Sequence, residues 1–103
     1  MRLLNVTSQV IPELEWQWMD WIQKNHIPKV METGCFVKTT LLKVYTDTPD
    51  FSTYAIQYAA NSEIELDRYL TTYESEFSKE IKRVFGENVL HFSTQLEIIS
   101  NHP

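Results

Sequence analysis

The sequence predicts an α+β fold: a four-stranded antiparallel sheet with two helices on one face. Three observations predict it. Two stretches carry apolar residues at helical spacing, and strand-like stretches rich in β-branched and aromatic residues flank each of them. A turn cluster, Asp47-Thr48-Pro49-Asp50, divides two such strand-like stretches in the middle of the chain. Helix-start and helix-stop residues stand at the ends of the apolar stripes.

Leu3 to Val10 alternates imperfectly between apolar and polar residues and reads as the first strand. Pro12 then suits a first helical turn, and Glu13 and Glu15 carry the charge sign that turn favours. The first helix runs to about Asn25, with Leu14, Trp18, Trp21 and Ile22 on one face and Trp16 away from it. Pro28 disfavours the α conformation at Ile27, so a break or kink is expected there. A short helical turn, Lys29 to Thr33, follows, and Gly34 suits a left-handed cap. Cys35 to Thr46 and Phe51 to Ala60 read as strands paired through the turn cluster. Ser62-Glu63-Ile64-Glu65 is a capping box opening the second helix, whose stripe is Leu66, Leu70, Tyr73, Phe77, Ile81 and Val84. Gly86 ends it, Asn88 to Ile99 is the last strand, and Ser100 to Pro103 reads as a tail. The order is βαββαβ, the ferredoxin-like pattern. Residues 1–99 form one expected domain and 100–103 its C-terminal tail.

A chain of 103 residues with 43% hydrophobic content closes one ordinary core. The net charge of -5 argues against nucleic acid as a partner, because tracking phosphates takes a basic stripe. Lys79, Lys82 and Arg83 do cluster, but in the last turn of a helix, where they complement its dipole. Cys35 is the single cysteine, so no intramolecular disulfide is possible, and at the start of an apolar run it reads as a small buried hydrophobe. No apolar run approaches the roughly 18 residues of a membrane span, and the first ten residues lack a signal peptide's apolar region. The expected location is cytoplasmic.

Sheet faces follow from parity. Tyr54, Ile56 and Tyr58 of the third strand, and Leu90, Phe92, Leu96 and Ile98 of the last, are the more apolar sets and are expected under the helices. The opposite face then carries Asn5, Thr7, Gln9, Ala55, Gln57, Ala59, His91, Ser93 and Gln95. Neutral polar and small residues suit a wet interface or ligand cavity better than open solvent, which favours lysine and glutamate. Face-to-face homodimerisation is the expected partner arrangement.

His26 is the candidate catalytic residue: a histidine at a helix end, held by Pro28, titrates near neutral pH and can move a proton on a small acidic or phenolic substrate. The same residues equally describe a helix cap bonding the last carbonyls. His91, Asn5 and Gln57 are candidates to orient a polar ligand, and Trp18, Trp21 and Tyr58 to shape an aromatic pocket; stripes at this spacing also build cores. No His-Glu-x-x-His or Cys-x-x-Cys spacing occurs, so neither a metal nor a cofactor is expected. Glu13/Glu15 and Glu63/Glu65 are helix-start residues rather than a catalytic pair.

Trp18-Met19-x-Trp21-Ile22-x-x-x-His26-Ile27-Pro28-x-Val30 with Gly34-x-Phe36 resembles the first-helix signature of a small family of unknown function in the dimeric α+β-barrel group. Asn5-Val6-Thr7, Tyr54-Ala55-Ile56-Gln57-Tyr58, Arg68-Tyr69-Leu70 and Phe85-Gly86 resemble its other blocks, so the likeness covers nearly the whole chain. More distantly, the His-x-Pro followed by glycine is similar to stress-responsive A/B-barrel and EthD-like proteins. The resemblance implies two ferredoxin-like subunits joined through their sheets, each with a cleft between sheet and helices or inside the barrel. The wider group spans cofactor-free monooxygenases, isomerases, haem-degrading enzymes and proteins with no known activity, so it implies no particular reaction. The expected function is binding or transforming a small organic molecule in a cleft near the end of the first helix; the alternative is a non-catalytic interaction module with a filled barrel. A regulatory module of the ACT type shares the fold.

Overall fold

The computed structural model describes residues 1–47 and 50–103; Thr48 and Pro49 of the expected turn lie outside the described residues. Strands β1 (Arg2–Val10), β2 (Lys38–Val44), β3 (Ser52–Ala60) and β4 (Val89–Glu97) form one antiparallel sheet in the order β2-β3-β1-β4. Between β1 and β2 lie helix α1 (Glu15–Trp21), a widened turn Ile22–His26 and helix α2 (Ile27–Glu32), which follow one another without interruption. Helices α3 (Glu63–Thr72) and α4 (Glu74–Phe85) connect β3 to β4. This is the expected ferredoxin-like fold.

The core lies between the sheet and the helices. Leu4, Val10, Ile56 and Tyr58 of the sheet pack with Trp18, Ile22, Val30 and Leu66 of the helices, all nearly inaccessible to water. Each such side chain stabilises the fold by about 2 kcal/mol relative to an exposed one. Both predicted glycine positions need their glycine: φ is 76° at Gly34 and 61° at Gly86. Gly34 lets the chain leave α2 and run irregularly through buried Cys35 and Phe36, so β2 starts at Lys38 instead of Cys35. Ser62 caps α3 as expected, its hydroxyl accepting from the Glu65 N–H at 3.3 Å. The second helix bends at Tyr73 (φ -117°), just after Thr71, whose hydroxyl bonds back to the Asp67 carbonyl at 2.8 Å. Beyond the bend Phe85 is buried and Val84 is not, which corrects the end of the predicted stripe. Among the described residues, no helix is long and apolar enough to cross a membrane.

One face assignment is reversed. In the β1–β4 register Leu4 meets Gln95, Val6 meets Ser93 and Ser8 meets His91. Residues directly opposite share a face, so His91, Ser93 and Gln95 lie on the helix side. Leu90, Phe92 and Leu96 lie on the open side with Asn5, Thr7, Gln57 and Ala55, and Phe92 is 55% exposed. The parity rule fails here because β4 is an edge strand. The helices cover the middle of the sheet, and Ser93 and Gln95 at this margin remain exposed although they are on the covered side.

Candidate functional site

His26 owes its place to the turn before Pro28. Proline has no N–H, and in an α-helix its ring crowds the carbonyl four residues back, here that of Lys24. The helix widens instead. Ile22–His26 form a π-turn, and the Ile27 N–H reaches back five residues to the Ile22 carbonyl. A π-turn holds an extra residue, so Trp21 and His26, five apart, come onto one face. Their rings stack with centroids 5.9 Å apart and planes 20° from parallel. Phe77 of α4 meets the imidazole edge-on at 5.7 Å. Of the expected break or kink, the helix does not break: Ile27 keeps α geometry (φ -58°, ψ -46°) and the distortion is the π-turn before it, while His26 sits inside the helical run rather than capping its end.

His26 is 7% exposed. Burial lowers its pKa from 6.5 to about 4; the Glu80 carboxylate opposes the shift, while His91 and Lys29 add to it. His26 is therefore neutral at pH 7. Glu80 is itself engaged by Lys29 at 3.0 Å, a bridge that fastens α2 to α4.

His91 approaches from the sheet, its Nε2 3.4 Å from the Ser78 hydroxyl of α4. Burial lowers its pKa as well, against the pull of Glu74. Tyr58 rises from the centre of the sheet. Burial, reinforced by Tyr69, pushes its pKa up, so the phenol stays protonated and is available as a donor. The three side chains border one hollow, with Glu74, Ser78 and Ser93 as further polar lining and Leu4, Val6, Tyr69, Phe77 and Ile81 as its walls. The hollow is small, with about 20 Å³ of space for water-sized contents. Nδ1 of His26 and the Tyr58 hydroxyl are buried without a hydrogen-bond partner. Ile81 and His91 also border an adjoining surface groove of about 470 Å³.

The remaining sequence candidates fall elsewhere. Trp21 backs His26 instead of lining the hollow. Trp18 is fully buried against Tyr54, with centroids 5.1 Å apart, and belongs to the core. Asn5 and Gln57 are across the sheet, where the Gln57 amide donates to the Asn5 side-chain oxygen at 3.2 Å. The expected grouping of His91 with Asn5 and Gln57 is thus undone by the β4 register. Ser93 is expected from the sequence beside His91 but on the open face, while Tyr69, Glu74 and Ser78 are not among the sequence candidates. Glu74 and Ser78 are four apart on one helix face, and Ser93 shares parity with His91; placing His91 under the helices would have exposed them all.

A second polar cluster lies near the start of α1. Tyr54 donates to Glu15, and Lys43 stands 3.7 Å from the same carboxylate. Burial and Glu15 push the Tyr54 pKa up to about 12, and the bond from Tyr54 lowers that of Glu15. These contacts tie the helix to β2 and β3. Among the described residues, no group of three His, Cys, Asp or Glu side chains is placed to hold a metal ion.

A family model described as a domain of unknown function, DUF4286, matches residues 1–99. No curated protein matches the chain. Solved structures do. A dimeric ferredoxin-like protein from an uncultured marine organism superposes with a TM-score of 0.76 at 11% identity, covering 98% of this chain and 97% of its own. A variant of SnoaB, a cofactor-independent oxygenase from Streptomyces nogalater, gives 0.69 at 11% identity, covering 99% and 97%. An ethyl tert-butyl ether degradation (EthD) family protein from Bacillus halodurans gives 0.67 at 13% identity, covering 96% and 100%. At such identities the likeness is one of fold.

Proposed function

The chain belongs to the DUF4286 family, which has no established activity, and from that premise we propose that it binds a small organic molecule in the hollow bordered by His26, Tyr58 and His91. One observation carries the reading: two residues that line one hollow, His26 and Tyr58, each have a buried polar atom with no protein partner. Buried polar groups are otherwise nearly always paired, and a hollow with a few convergent polar groups is the usual form of a ligand site. Two neutral imidazoles on opposite walls can accept or return a proton, so His26 is the first residue for any proton transfer. The adjoining groove gives room for the body of a ligand whose tip enters the hollow.

The functional unit in this reading is a homodimer joined through the open sheet face. The apolar residues of β4 support it, because Leu90, Phe92 and Leu96 all point away from the helices. The dimeric ferredoxin-like protein among the structural neighbours supports it too.

The narrowness of the hollow favours one other reading, an interaction module with a filled interior. Mass spectrometry of protein purified from its native host separates the two. A co-purified organic molecule, lost from His26→Ala while the dimer persists, is expected. No bound molecule in wild-type protein, together with a screen that finds no binder at His26, supports the filled module instead.

A further inference from the structure

Nδ1 of His26 and the hydroxyl of Tyr58 need partners that the protein does not supply. The hollow as a whole, about 20 Å³, exceeds the roughly 10–15 Å³ that a cavity needs to hold one water. Its lining also has a definite charge character. Among the described residues no lysine or arginine lines it, and Glu74 does. A carboxylate or phosphate entering here would be desolvated beside another carboxylate with no counter-charge. A cation meets a different difficulty. Glu74 attracts it, but it must give up its water against the same burial that keeps the His26 ring from taking a proton.

Resting on the binding reading above, we infer that the hollow selects an uncharged ligand by a single oxygen atom, a hydroxyl, carbonyl or amide oxygen, which replaces one water held between His26 Nδ1 and the Tyr58 hydroxyl. Tyr58 donates to that oxygen. His26 completes the site in either tautomer: unprotonated at Nδ1 it accepts from water or a ligand hydroxyl, and protonated there it donates to a carbonyl. An oxygen that restores both hydrogen bonds loses little on displacing the water, and a group that restores neither is rejected. The charge preference narrows the substrates open to His26, since acidic molecules find no counter-ion in the lining.

Acetamide, acetate and acetamidinium are nearly isosteric and differ in charge, which makes them suitable probes. Each is titrated into the full chain at pH 7 and fixed ionic strength while the His26 imidazole resonances are followed by NMR. Acetamide is expected to shift them at least about tenfold more tightly than either ion. Tyr58→Phe, which keeps the ring and the packing, should weaken acetamide binding by about the same factor. Acetate or acetamidinium binding at His26 as tightly as acetamide would overturn the charge selection and leave the pocket standing. Acetamide binding unchanged in Tyr58→Phe would overturn the oxygen site. Silence of the His26 signals to all three probes would overturn the pocket as well. A high-resolution crystal structure of the free protein should show one water bonded to both atoms; a dry hollow contradicts the inference.

Discussion

His26 shows how surroundings set the behaviour of one side chain. A solvated imidazole titrates near neutrality, but this one is enclosed by Trp21 and Phe77 and holds its proton only below about pH 4. Between that value and the unfolded-state value near 6.5, the unfolded chain binds the proton and the folded chain does not, so stability rises with pH. The stabilisation from burying a neutral ring is complete above about pH 6.5 and is lost as pH falls toward 4. A shift of this size corresponds to a loss on the order of 3 kcal/mol. His91 works in the same direction, Glu80 opposes it, and Glu15 acts only at lower pH because its own pKa is lowered. Urea unfolding at pH 7 and pH 5 should show the loss, and His26→Phe should flatten most of it. An equal pH slope in the variant would assign the effect to other groups.

At the level of elements, Pro28 and the π-turn form one unit. The missing N–H and the bulk of the ring favour a widened turn, and the widened turn brings Trp21 and His26 together. In Pro28→Ala the pressure on the Lys24 carbonyl disappears and ordinary α spacing becomes accessible. That spacing separates residues five apart around the helix. The expected result is a folded protein in which the pKa of His26, read by NMR titration, moves from about 4 toward 6.5. A value that stays near 4 would mean that packing of His26 and Val30, both buried, fixes the turn without the proline. Strand β4 gives the complementary case. Its alternation is clear in the sequence, but its orientation is decided by pairing with β1, and a strand read one parity out exchanges its faces completely.

For the whole molecule the open sheet face is the main consequence. Leu42, Leu90, Phe92 and Leu96 are partly exposed there around the polar row of Asn5 and Gln57. In the proposed homodimer a carboxylate at the middle of β4 must be desolvated among the apolar residues Leu90 and Leu96 of the same face, so Phe92→Asp should give a folded monomer by light scattering. A wild-type chain that is itself monomeric at high concentration would remove the dimer from the proposal. Because His91 projects from β4 to the other side of the sheet, losing the dimer need not empty the hollow. Probe binding by the Phe92→Asp monomer measures whether the two are coupled.

The sequence by itself determined the element order, both glycine turns, the Ser62 cap, the buried Cys35 and most of the core stripe. These depend on interactions within a few residues: backbone conformational freedom, capping, and periodicity within one element. It also singled out His26, Tyr58 and His91 one by one. Only the tertiary structure decided that these three share a hollow, that Asn5 and Gln57 stand across the sheet from it, and that Trp18 is core. Those outcomes depend on which register β4 takes against β1 and on which carbonyl the Ile27 N–H reaches beyond Pro28. Both are choices between nearly equivalent local arrangements, and packing against distant parts of the chain selects between them.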